Sequence, residues 1–435
     1  MMKFTRLAHL CAAIHAAAAA ITPGSLITVT ENADNTNVAA WWTPLDEFGG
    51  FEWLAYLRNP TSGSFSNNNV MVARRDMTSG AINRDCLKKT ASGDCVLFAD
   101  DAGHNQPSIA LDGDGFVHVF TSMHNNAWRY YRSDDPYSAS LADQSSTMPD
   151  QGVLITYPVI KRDASGNLWL AVRGDSGDGV ARGGYLYKYE TSKKTWSRVT
   201  IWAYRKGYSV YPDDIQFSSD GDVHLQWEWS KYPASAGRHE GSYLRYKPSS
   251  GEFKTVTEDV VSVPVTQSTS NVVFQPLTSG EVYGDNGAAA PLLQSAKLAL
   301  YEQPAGTVHV QHAYRFQNAT GGPWQVRRAV GGSGSQPWSR EILYADQDTS
   351  AAVGFTHDGT TARIYYCRTG GSTWVLEKSG STPWANTELT PVKGKGVQRL
   401  QAIMRPDGTD ILYLGAPANV DASTGSVYLL SVKGR

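Results

Sequence analysis

Five residues in this chain, His104, His124, Tyr157, Arg173 and Tyr211, combine the groups needed to move a proton and to hold a carboxylate. An imidazole has an ordinary pKa near 6.5, so it can take a proton at mildly acidic to neutral pH. A phenol can give its proton to a departing oxygen. A guanidinium pairs with a carboxylate and, when held in place beforehand, stabilises negative charge that builds during a reaction. The five are scattered in sequence, and their common feature is spacing from a recurring turn. His104-Asn105-Gln106-Pro107, Tyr157-Pro158 and Tyr211-Pro212 each place a proline eight or nine residues before a glycine. His124, Arg173 and Trp229 follow the same three glycines by nine, seven and eight positions. Asn105, Asn125, Tyr208 and Trp229 stand beside the five and are candidates for substrate binding.

The positioning elements follow from the turn. A turn ending in glycine and followed by alternating apolar residues recurs at Gly115, Gly166, Gly221, Gly306, Gly359 and Gly408, at intervals of 51, 55, 85, 53 and 49. Each is a hairpin signal before a strand of period two. A second strand pair rich in Tyr and Trp comes next, as in Tyr185–Tyr189 with Trp196. Four strands in about fifty residues make one propeller blade. The stretch from Trp41 to Asp76 reads as a further blade lacking the glycine turn. The long interval before Gly306 holds a blade plus about thirty inserted residues; an eighth blade hidden there is the alternative. The expectation is an all-β, seven-bladed β-propeller forming a single domain over residues 21–435. Each Tyr-Pro or Gln-Pro is expected to open an inner strand, where proline costs no ladder bond, and the five residues to meet at one mouth of the channel.

Composition narrows the function classes. Charged residues are 18% of the chain, below the roughly 25% of an average domain, and aromatics are 11%. That balance suits a surface that stacks on sugar rings. The net charge of −2 leaves no basic footprint for nucleic acid. Lys3 and Arg6 ahead of an Ala-rich run ending at Ala20 read as a secretory signal over residues 1–20, too short to span a bilayer. The protein is thus expected to be extracellular, with no membrane or nucleic-acid partner, and monomeric. Secretion permits a Cys86–Cys95 disulfide across a hairpin, with Cys367 a buried free thiol. Asn318-Ala319-Thr320 is a glycosylation sequon. His118, His224 and His309 lie inside apolar alternation and read as structural. Asp213 with Asp214, or Asp175 with Asp178, offers carboxylates for a structural calcium. No cofactor is otherwise required, and metal content is left open.

The segment from His104-Asn105-Gln106-Pro107 through Asp112-Gly113-Asp114-Gly115-Phe116-Val117-His118 to His124-Asn125 resembles the propeller polysaccharide lyases with BNR-type repeats. That group includes ulvan lyases and fungal L-rhamnose-α-1,4-D-glucuronate lyases acting on gum arabic. The resemblance runs from about Trp41 to Tyr246. It implies β-elimination at a 4-linked uronate in a polysaccharide or oligosaccharide containing glucuronate. His104 and His124 match the paired active-site histidines, Tyr157 and Tyr211 the tyrosines, and Arg173 the arginine that meets the carboxylate. One histidine would be the base and one tyrosine the acid. No sulfate-binding basic residues are matched, which favours an unsulfated, gum-arabic-type substrate over ulvan. Arg238 and His239, in the insertion, would wall one end of the cleft and favour exo cutting. Two rivals are a propeller hydrolase, for which Glu228 is the one obvious carboxylate near the rim, and a lectin presenting Trp128 and Trp229.

Overall fold

The computed structural model describes residues 21–34, 42–58, 68–90, 93–99, 106–233, 237–277, 292–303, 307–319, 321–332, 337–345, 349–417 and 425–434. The expected signal segment, His104, Asn105 and the sequon's Thr320 lie outside them. No α-helix occurs among the described residues.

Hydrogen bonding sorts the strands into six sheets. One runs Leu154–Arg162, Leu168–Asp175, Gly183–Glu190 and Thr195–Ala203, with the short strand His124–Asn126 added beside the innermost. The same antiparallel order recurs in the sheet starting at Tyr208–Phe217 and Val223–Lys231, in that starting at Leu292–Glu302 and Val308–Gln317, and in that starting at Thr349–His357 and Thr361–Arg368. Near the chain's ends, Arg399–Met404, Thr409–Pro417 and Gly425–Lys433 are completed by Ile27–Ala33 and Thr22–Pro23. The sixth sheet has eight strands, because Ile82–Lys88 pairs in parallel with Leu141–Asp143 and joins two four-stranded halves. The arrangement is all-β and propeller-like, with five separate blades of four to six strands beside the eight-stranded sheet.

Strands near the channel are buried on both faces, as Leu168–Asp175 is at every position, because each blade is covered by its neighbours. The turn chemistry repeats with them. His118 Nε2 meets Asp112 at 3.2 Å and its Nδ1 meets the Tyr130 hydroxyl at 2.8 Å. His224 meets Ser218 and Tyr243 in the same way, at 3.1 and 2.7 Å. At the equivalent place Trp169 donates to Asp163 at 2.8 Å. Burial holds both imidazoles below the ordinary range, that of His224 at about 3. The two histidines are structural.

Two expectations are corrected. The blade at Trp41–Asp76 does have a glycine turn: Gly49 and Gly50, with φ of +64° and +82°, join Leu45–Phe48 to Phe51–Arg58. Positive φ at both central residues is what a tight hairpin needs. Pro107 directly precedes Ser108–Leu111, as expected, but the other two prolines do not open their strands. Pro158 and Pro212 sit inside theirs, at register shifts between Thr156 and Val159 and between Pro212 and Asp214; a bulge, like a strand end, makes no ladder bond there. The inserted residues do not form a sheet of their own among the described residues. Val260–Val261 and Val273–Gln275 extend the sheet of Tyr208–Phe217. Cys86 and Cys95 are bridged, and Cys367 is buried and free.

Candidate active site

Arg173 lies near the end of Leu168–Asp175 remote from the Gly166 turn, opposite Thr156 on the inner strand. It is 1% exposed. Its Nη2 donates to Thr156 Oγ1 at 3.1 Å and to Asn125 Oδ1 at 3.2 Å. The acceptors hold each other: the Asn125 N–H donates to Thr156 Oγ1 at 2.8 Å, and that hydroxyl donates to Asn125 Oδ1 at 3.1 Å. Asn125 has φ +57°, a conformation asparagine tolerates better than most residues. The Nε and Nη1 of Arg173 are buried with no hydrogen-bond partner among the described residues.

Two phenols enclose this guanidinium. Its carbon lies 4.6 Å from the Tyr157 ring centre and 4.9 Å from that of Tyr211, and the rings are 5.2 Å apart. Successive strand residues normally point to opposite faces. The bulge after Thr156, with Tyr157 at φ +56°, lets both Thr156 and Tyr157 reach Arg173. Trp42 packs edge-on against Tyr157 at 5.3 Å. Burial pushes the Tyr157 hydroxyl above its ordinary value, and the Arg173 and Arg238 charges offset part of that. Tyr157 is therefore a protonated phenol at neutral pH, facing cations that would steady its anion.

Arg238 forms the second half of the cage. Its guanidinium lies 4.3 Å from the Tyr211 ring, and its Nε is 3.7 Å from Glu228 Oε2. Glu228 and Asp213 are both fully buried. Burial pushes Glu228 up to about 7, against the pull of Arg238. Burial and then the neighbouring Glu228 raise Asp213 well above the carboxylate range. Lys297 donates to the Asp213 carbonyl at 2.6 Å.

The structure thus brings together Asn125, Tyr157, Arg173 and Tyr211. His124, half-buried, starts the short strand that continues into Asn125 and pairs with Thr156. Trp229 is not with them. It is fully buried in an apolar cluster with Trp202 and Trp227, and its Nε1 donates to Ser242 at 3.1 Å. Tyr208 lies beside Trp229, with Arg205 over its ring at 4.5 Å. Glu228 is likewise interior rather than at the rim, and Trp128 is buried. Sequence reasoning missed Thr156, Trp42 and the Asp213–Glu228 pair, and read Arg238 as a wall rather than a contact. Part of the signal was available: Glu228 follows Gly221 by seven positions, as Arg173 follows Gly166.

Three of the four carboxylates considered for calcium are engaged by protein donors, while both Asp213 carboxyl oxygens are buried with no hydrogen-bond partner among the described residues. Asp214 pairs with Lys161 at 2.6 Å, Asp175 with Arg182 at 3.2 Å, and Asp178 accepts from the Tyr204 hydroxyl at 2.8 Å. Among the described residues no three His, Cys, Asp or Glu side chains are grouped to hold a metal ion.

Comparison with known proteins agrees with this architecture. An ulvan lyase of Pseudoalteromonas sp. strain PLSV is 21% identical over 257 residues, 52% of this chain and 49% of its own. The chain therefore spans about half the length of that relative. The crystal structure of polysaccharide lyase Uly1 superimposes with a TM-score of 0.68 at 14% identity, covering 94% of this chain and 99% of that one. A PL25 ulvan lyase bound to -[GlcA(1-4)Rha3S]- gives 0.65 at 13% identity, covering 93% and 95%. At such identities the likeness is one of fold. Residues 39–330, 292 of the 435, match the BNR repeat-containing family, and the chain belongs to it.

Proposed function

We propose that this chain is a secreted polysaccharide lyase that cleaves rhamnose-α-1,4-glucuronate linkages by β-elimination, on a seven-bladed propeller. The blade count takes the two halves of the eight-stranded sheet separately. The observation that carries the reading is the buried guanidinium of Arg173, fixed through Nη2 and with two donors left over between two phenols. Unsatisfied N–H groups on a fixed guanidinium are charge-assisted donors for a carboxylate.

With the uronate carboxylate on Arg173, removal of the C5 proton places charge on the carboxylate oxygens, where the guanidinium already stands. His104 or His124 takes that proton. The electron pair forms the C4=C5 double bond, and the C4–O4 bond breaks. Tyr157 or Tyr211 gives a proton to the departing oxygen, so rhamnose leaves with the glycosidic oxygen and a 4,5-unsaturated uronate remains. The Arg238 charge, beside both phenols, steadies the phenolate. The hydrolase reading is less well supported: it needs two carboxylates flanking the scissile bond, and Asp213 and Glu228 are buried behind Arg238. A lectin has no use for an unsatisfied buried guanidinium.

A sulfated, ulvan-type substrate is the second reading. Arg315, Arg368 and Arg399 stand at strand ends on the same face as Arg173, remote from the hairpin turns. Arg315 lies over Trp324 at 4.4 Å and Arg368 over Trp374 at 3.6 Å. The near-neutral overall charge conceals this positive edge. Incubation with gum arabic and with ulvan, followed by ultraviolet absorbance of the new double bond, tests both readings. Reducing sugar released without that absorbance would mean hydrolysis and end the lyase proposal.

A further inference from the structure

On the opposite face, at the hairpin ends of the strands, a cavity of about 720 Å³ opens between the sheet of Leu292–Glu302 and that of Thr349–His357. Ligand sites typically occupy roughly 300–1,000 Å³. One wall is a column of three rings. Tyr301 stacks between His309, at 5.6 Å and 21°, and His357, at 4.9 Å and 24°. The other wall carries Arg328 and Lys378, and the turn around Thr382 supplies hydroxyls. Among the described residues no Asp or Glu lines the cavity. Arg328 is held by Gln311 at 2.7 Å and by Glu341 at 2.6 Å. Lys378 makes no ion pair among the described residues, and its ammonium lies 5.8 Å from the Trp384 ring.

The His357 imidazole is arranged as a hydrogen-bonding group rather than a charge. His357 Nδ1 accepts from the Gly359 N–H at 3.0 Å, which leaves the proton on Nε2. Burial holds His357 at about 4, so its ring is neutral at pH 7. His309 Nε2 is buried with no hydrogen-bond partner. Stacked rings, neutral donors and acceptors, hydroxyls and one uncompensated cation suit a hydroxylated ring bearing a single carboxylate.

We propose that this cavity is a second saccharide site that binds a uronate residue, distinct from the cleft around Arg173. It would hold a polysaccharide chain to the enzyme without cleaving it. The test uses methyl β-D-glucuronoside, which has no sugar at O4 to expel, so binding is read without turnover and independently of the lyase proposal. Ring signals of His309 and His357 are followed by ¹H–¹³C NMR in histidine-labelled protein, assigned with His309→Gln and His357→Gln. Both signals should shift saturably with the glucuronoside and not with neutral methyl β-D-glucoside. Lys378→Glu should weaken binding by about tenfold or more, the loss of one charge-assisted hydrogen bond, and Lys378→Arg should retain it. Should Lys378→Glu not fold, Lys378→Gln serves. Signals that stay still, equal response to the glucoside, or unchanged affinity in the charge-removed variant would overturn the proposal.

Discussion

The Asp213–Glu228 pair makes stability depend on pH, and Glu228→Gln should lessen that dependence. Glu228 is fully buried and held at about 7, against 4.5 for a free glutamate. Below pH 4.5 it is protonated in both folded and unfolded chains and contributes no pH dependence. Between 4.5 and 7 the unfolded chain loses that proton while the folded one keeps it. The folded state then binds more protons, so stability falls as pH rises. The displacement from 4.5 to about 7, at about 1.4 kcal/mol for each tenfold change in proton affinity, amounts to about 3 kcal/mol, reached above pH 7. Asp213 is displaced in the same direction and adds to the loss. Glutamine keeps the shape and has no proton to lose. Urea unfolding of both proteins at pH 5.0 and 7.5 should show the variant gaining relative to the wild type as pH rises. A gap that is constant, or that narrows at the higher pH, would refute the argument that these carboxyls are buried at a cost in order to support Arg238.

Two further outcomes follow from the same contacts. Arg173→Lys keeps the charge but loses the planar fork; kcat should fall on the order of 10²–10³-fold with a smaller change in KM, as for one lost oxyanion-type donor, and a fall under about tenfold would remove Arg173 from the reaction. Replacing Cys86 and Cys95 together by serine should lower stability by about 2–3 kcal/mol in urea, because the bridge closes a short loop in the unfolded chain; an unchanged midpoint would show that the bridge contributes nothing.

The blade repeat was legible in the sequence because it is local: a glycine turn, period-two strands and Tyr–Trp pairs can be found by spacing alone. The paired positions of Tyr157, Tyr211 and Arg173 came from the same spacing. Trp229 shows where that stops. Counting from the glycine put it at a rim, but spacing does not say which face of a strand a side chain takes, and packing against Trp202 and Trp227 drew it inside. Gly49–Gly50 is a glycine pair, unlike the single glycine after Asp, Ser or Ala in the other turns, so it does not share their signature.

Sequence alone therefore determined the all-β repeat, the disulfide and several of the residue types that gather around Arg173. Only the tertiary structure decided how Arg173 is held: Asn125 from the short strand added to its sheet, Thr156 and Tyr157 from the innermost strand beside it, Tyr211 and Arg238 from the next blade. Those contacts cross blades, and the bulge that turns Thr156 and Tyr157 toward one guanidinium breaks the strand period from which a sequence is read. The burial that raises Glu228 and leaves two Arg173 donors unpaired is a property of assembled blades, which no single repeat contains.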